Sequence, residues 1–208
     1  MTILQTQVGI PAAAPSANPS VSSGRNGEVI TADLHGKKYT AAYNGKLYIA
    51  STAVAGVAPG TALSTTPPMC LWNPPGSGVN CEIHRAWLGY VSGTLGAGSI
   101  VWAWGPQNTN PSTGTALVPV GAPIGNLASG AGKAFQGSTV AQTPVIVRPA
   151  WTLGAFLAST AGINPPLVDE VDGELVLAPG NFLCLQGVTA AGSTPLCLFG
   201  LTWAEIQI

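Results

Sequence analysis

Charge is what this chain most lacks. Seven basic and eight acidic side chains among 208 residues make 7% charged and a formal net charge of -1, against roughly 25% charged in an average soluble domain. No basic stripe is available to neutralise a phosphate backbone, which argues against nucleic acid as a partner. So little charge also argues against a freely soluble monomer, which normally keeps charge on its outside. Long hydrophobic runs are missing too: Ala150 to Ala158 is broken within about ten residues, which argues against a membrane span. Histidine occurs only at 35 and 84, too rarely for most metal or acid–base constellations. GxSxG, a P-loop lysine and GxGxxG are absent, so no enzyme activity and no cofactor is expected. The four cysteines form no CxxC pair and have no histidine at ligand spacing, so zinc is not expected either. The opening MTILQTQVGIPAAAPSANPS has neither the basic start nor the continuous apolar stretch of a secretion signal, and maturation in the cytoplasm where the chain is made is the expectation.

What the chain does contain is glycine, proline and apolar residues together. With 27 Gly, 18 Pro, 46% hydrophobic residues and a mean hydropathy of +0.35, it has too much apolar material for disorder. The length suits one domain with an arm, able to bury roughly 70% of its unfolded surface. Residues 1–30, punctuated by Pro11, Pro15 and Pro19 and rich in Ala and Ser, show no regular apolar period and read as an extended, polyproline-like arm. Residues 31–208 form the domain. The arm packs either on its own domain or on a neighbouring chain. The second is the working expectation, with Ile10, Pro11, Pro15 and Pro19 as interface candidates.

From Tyr39 onward the signals are strands and turns. YTAAY and KLYIA flank Asn44-Gly45, so a hairpin is expected over 38–51. Pro67–Trp72 reads as a strand, Asn73–Gly78 as a turn and Val79–Tyr90 as a longer strand. Alternation places Cys81, Ile83, Arg85 and Trp87 on one face of it, and Glu82, His84, Ala86 and Leu88 on the other. Ile100, Trp102 and Trp104 line one face of the next strand. Residues 106–133 read as long loops with a short strand near Ala116–Val120. Gln136–Val147 and Trp151–Leu157 follow, separated at Arg148-Pro149, with a short helix open for the second. Strands over Glu174–Leu177, Phe182–Gln186 and Leu196–Ile206 close the chain. With no sustained amphipathic helical period, the fold class is all-β: a jelly-roll-like antiparallel β-sandwich with an extended N-terminal arm.

Few residues invite chemistry. Glu82 and His84 lie two apart on one strand face, where a proton shuttle competes with an ordinary surface pair. If the turns after Asn73 and around Ala190-Ala191 join their strands symmetrically, Cys70 falls opposite Cys81 and Cys184 opposite Cys197. A cytoplasmic origin then favours reduced, packed thiols over disulfides. Asp169, Glu170, Asp172 and Glu174 gather half of the acidic residues, but their spacing is not that of a calcium loop. Trp102 and Trp104 are candidates for interface, core or a stacking platform for a sugar.

The block Asp172–Leu183, the final strand Gly200–Ile206, and the segments Leu34–Tyr39 and Leu71–Asn80 resemble small structural proteins of tailed-phage virions. That resemblance implies a β-sandwich on a capsid or tail, commonly a homotrimer, of the head cement, decoration or head-fibre-base type. Its partners would be the major capsid protein or other virion proteins, in a virion assembled in the host cytoplasm, and it implies no catalytic residues. The rival from another class is a receptor- or carbohydrate-binding module on the particle surface.

Overall fold

In the computed structural model, which describes residues 36–122, 124, 130–154 and 166–208, the chain divides into two units, Met1–Tyr39 and Thr40–Ile208. The interface candidates Ile10, Pro11, Pro15 and Pro19 lie outside the described residues. The architecture is that of the second unit. After a five-residue helix, α1 (Tyr39–Tyr43), come the strands β1 (Leu47–Ser51), β2 (Met69–Asn73), β3 (Val79–Ser92), β4 (Gly98–Pro106), β5 (Thr115–Leu117), β6 (Val120–Gly121), β7 (Lys133–Gln136), β8 (Val145–Leu153), β9 (Leu167–Glu170), β10 (Val176–Leu177), β11 (Asn181–Thr189) and β12 (Leu196–Gln207).

Their pairing is nested. The first strand pairs with the last, β1 with β12; then β2 pairs with β11, β3 with β9 and β10, and β4 with β8, all antiparallel. Successive members of these pairs fall in alternate sheets, one ordered β10-β3-β12-β1-β6 with β9 also on β3, the other β5-β7-β2-β11-β4-β8. A chain folded back on itself in this way and rolled into two sheets is the jelly roll, so the fold class expected from the strand and turn signals is the one observed. β5, β6 and β7 are additions from the segment between β4 and β8. β7 extends the second sheet beyond β2, and β6 extends the first beyond β1.

Two layers of apolar packing result. Between the sheets lie Trp102, Trp203, Phe199, Ile83, Ile100, Leu185 and Leu201, all almost fully buried. A second cluster, with Cys70, Trp72, Ala103, Phe135, Phe182 and Cys184, covers the other face of β2, β4 and β11. Loops roof this cluster. Trp72 donates its indole N–H to Gln107 O at 2.8 Å, Gln107 Oε1 receives the Ala141 N–H at 2.7 Å, and Gln186 Nε2 donates to Ser64 Oγ at 2.8 Å. With both faces covered, β2 is buried at every position, so it shows none of the alternation of a half-exposed strand.

Several local expectations give way. Asn44-Gly45 caps a helix instead of turning a hairpin: Gly45 N–H bonds Ala42 O, Lys46 N–H bonds Ala41 O, and Gly45 has φ +65°. These are the paired bonds of a Schellman cap. The same dipeptide satisfies either geometry, and the helix-forming Ala41-Ala42 before it decides. The turn at Asn73–Gly78 carries the chain from one sheet to the other, so Cys70 stands opposite Cys184, not Cys81, and Cys197 stands opposite Tyr90. On β3 the partner of Thr202 is Arg85 and that of Trp203 is Ile83. His84 is therefore the extra residue of a bulge, and inward alternation passes from Cys81 and Ile83 to Ala86 and Leu88; a bulge inverts the faces beyond it. Finally, β8 runs unbroken through Arg148-Pro149, and Trp151–Leu153 is strand rather than helix. Proline is tolerated because β8 is an edge.

All four cysteines are buried free thiols. Burial pushes Cys70 up to about 12 and Cys197 to about 11. Cys81 reaches about 12 through burial and then the nearby Glu205 carboxylate. Unfolded, these thiols ionise near pH 9, so between pH 9 and 12 the folded state holds more protons, and stability falls as pH rises through that window. Tyr48, raised by burial and then by Glu205 and Cys81, adds to the trend at still higher pH. Denaturant titrations at stepped pH should show a loss of about 1.4 kcal/mol per pH unit for each such thiol above pH 9. Cys70→Ala should remove one thiol's share of that slope.

Candidate functional site

The two sides of the sandwich differ. Beside β1 and β2 the sheets continue into β5, β6 and β7, and the terminal strands there are only three and two residues long. Short edge strands offer little to an incoming chain. On the opposite side one sheet ends in the four-residue β9 and two-residue β10, and the other ends in β8, nine residues long. Among the described residues, β8 alone of the strands that end a sheet is long.

β8 departs from simple alternation. Opposite β4, Arg148 faces Trp102 and Ile146 faces Ala103, leaving Val147 as an extra residue; Ala150 is a second one. Val145, Ile146 and the bulged Val147 are exposed in succession, at 58%, 48% and 43%. Three β-branched residues in a row on an open edge form a pairing template that nothing on those residues guards. The strand's later half is guarded, by Arg148 and by Pro149, which has no N–H to donate.

Arg148 also ties the two sheet edges together. Its Nη2 lies 3.0 Å from Asp169 Oδ2 on β9, its Nε lies 3.3 Å from Glu174 Oε2, and its Nη1 donates to Pro149 O at 3.1 Å. Asp169 Oδ2 in addition accepts the indole N–H of Trp102 at 2.7 Å. The acidic cluster is thereby absorbed into structure: Asp169 and Glu174 serve Arg148, Glu170 pairs with Arg85 on the strand face, and Asp172 forms the turn with φ +47°. Glu82 lies 4.0 Å from His84 Nδ1. Among the described residues no group of three or more His, Cys, Asp or Glu is arranged to hold a metal.

Beyond the Arg148 clasp the space between the edges opens into a groove of about 340 Å³, lined by Trp104, Val147, Glu174, Leu175, Val176, Leu177, Ala178, Asn181 and Leu183. Trp104 continues the inward row of Ile100 and Trp102, but at the strand's end it meets this groove and remains 43% exposed, while Trp102 is fully buried in the core. The two rings therefore do not form a joint platform. Asn181 Nδ2 is held by Ala178 O and Pro179 O, and Glu174 by Arg148, so the groove offers apolar surface more than free polar groups. Val176, one of the lining residues, is 55% exposed on β10.

Neither Val145–Val147 nor Arg148 stood out in the sequence. Their signal was present, an unalternating β-branched run closed by Arg-Pro, but the same run suits a strand buried on both faces. Glu205 was equally silent. It is buried, and its carboxylate accepts the N–H groups of Ala131 and Gly132 at 3.0 and 2.8 Å. It anchors the segment that carries β7. The fit requires glycine, because a Cβ on Gly130 would lie 2.5 Å from Glu205 Oε1.

No protein-family model matches the chain, and no curated protein matches it. Three solved structures show a distant likeness. A chain of the structure described as "KBV activated particle at acidic pH" is 11% identical, with 97% of this chain and 84% of that one covered at a TM-score of 0.28. Chains from the heated full particle of Israeli acute paralysis virus and from the crystal structure of its pentamer are 12% and 13% identical, each covering 96% of this chain and 82% of theirs at a TM-score of 0.28. The jelly-roll assignment rests on the nested strand pairing.

Asp169→Ala should leave the buried Trp102 N–H without its acceptor and Arg148 without its main partner, lowering stability by about 3 kcal/mol in guanidinium unfolding. Asp169→Asn retains an acceptor for the indole and should cost less.

Proposed function

We propose that this chain is a structural protein of a virus particle, which works by binding its neighbours and not by transforming a substrate. The observation that carries the reading is the long open edge β8, with three exposed β-branched residues beside an apolar groove, on a chain with only 7% charged residues. Contiguous exposed apolar surface of this kind marks an interaction site, and a free edge invites pairing with another chain. The jelly roll supports the reading as an architecture that recurs in viral shells, although it also serves lectins and cupins.

In its specific form the proposal is a cement or decoration protein of a tailed-phage head. It would assemble in the host cytoplasm as a homotrimer and add intersubunit contacts that raise the barrier to shell rupture. A second reading, a carbohydrate- or receptor-binding module, draws on Trp104 with Asn181 and Glu174 beside it. A single half-exposed ring gives it less support.

Sedimentation equilibrium of the full-length chain tests the proposal. A self-associating species is expected, with a trimer as the specific expectation. Ile146→Lys, which places a charge on the open edge at an already exposed position, should weaken association roughly tenfold or more while leaving the fold intact. A monomer at every concentration overturns the proposal, and saturable binding of a soluble oligosaccharide quenched by Trp104→Ala would favour the second reading.

A further inference from the structure

The open edge calls for an occupant, and the chain itself contains a segment of suitable chemistry. Within residues 1–30, Leu4, Thr6, Val8 and Ile10 alternate with Gln5, Gln7 and Gly9. That is the two-residue period of a strand with one apolar face. No Asp, Glu, Lys or Arg occurs before Arg25, so this stretch brings no side-chain charge to desolvate against Val145, Ile146 and Val147. The prolines at 11, 15 and 19 follow it directly; they stiffen the connection and lower the entropy lost when its tip docks. Thirty residues reach about 100 Å when extended, ample to pass from one copy to the next.

We infer that residues 4–10 of a second copy of this chain add to β8 as a further strand along Val145–Val147. The apolar face of that segment covers these side chains and reaches towards Trp104 and Val176 in the groove. Main-chain hydrogen bonds at the edge supply affinity, and the alternating side chains set the register. The added strand ends at Arg148, because that guanidinium is committed to Asp169 and Glu174 and Pro149 offers no donor. Docking of the arm on its own β8 would leave a closed monomer, which so charge-poor a chain does not favour; exchange between copies links them into a set. This inference rests on the reading of the chain as a self-associating structural protein and names the contact through which it associates.

The test uses full-length chains. One preparation carries Val8→Cys and another Val147→Cys; the four native thiols are buried. After circular dichroism has shown both variants folded like the parent, they are mixed and treated with a short bismaleimide. A cross-linked dimer formed in the mixture, but by neither variant alone, is the expected result, joining the N-terminal peptide to the one that contains residue 147. In the unsubstituted chain, amide exchange at 145–147 should be slow and should quicken roughly tenfold in Val8→Asp. The inference is overturned if no cross-link forms, or if a chain bearing both cysteines cross-links only within itself. If the parent chain nevertheless self-associates in the centrifuge, the structural reading survives and this contact alone is wrong; a chain that is monomeric throughout removes both.

Discussion

Arg148 is the fastening on which the open side of this sandwich depends. Its guanidinium spans from an edge strand of one sheet to carboxylates on the rim of the other, and the carboxylate it grips most closely also receives the indole N–H of the most deeply buried tryptophan of β4. A charge partly withdrawn from water is tolerated only when paired and hydrogen-bonded, and here the pairing also sets the spacing of the two edges. Above the fastening the sheets pack face to face around Trp102; beyond it they part and leave Trp104 over a groove.

The scarcity of charge acquires meaning in this setting. Arg148 joins Asp169 and Glu174, Arg85 joins Glu170, Glu82 approaches His84, Glu205 holds two backbone N–H groups, and Lys133 Nζ donates to Gly130 O. Among the described residues these charges hold sheet edges and loops in place, and none of them lies on Val145, Ile146 or Val147. One side of the sandwich is closed by the inserted β5, β6 and β7 and one sheet face by loops, whereas β8 ends its sheet with apolar residues outward.

The sequence made the strands legible where turn residues bound a short apolar run. β4, β11 and β12 lie close to where those turns put them, although both faces of each are largely buried, and the all-β class follows from them. Three features were hidden for physical reasons. A turn such as Asn73–Gly78 has the same residues whether it closes a hairpin or crosses between sheets, and only pairing with distant strands, Cys70 with Cys184, decides. A bulge adds one residue without a chemical signature, so alternation alone groups Arg85 and Trp87 with Cys81 and Ile83, whereas the bulge at His84 moves Ala86 and Leu88 to that inner row. Asn-Gly ends a helix as readily as it turns a hairpin. The candidate site suffered from the second of these: the bulge at Val147 lies on the exposed edge, while Trp102 and Trp104, equivalent by periodicity, part company because the sheets separate between them.

The central claim is that this molecule meets its neighbours through apolar surface and strand pairing and not through charge. Dilution calorimetry of the assembled full-length chain at several temperatures tests it most directly. The predicted heat-capacity change of association is clearly negative and nearly constant between about 0.05 and about 1 M salt. A heat-capacity change near zero, with assemblies that fall apart as salt is added, would contradict it.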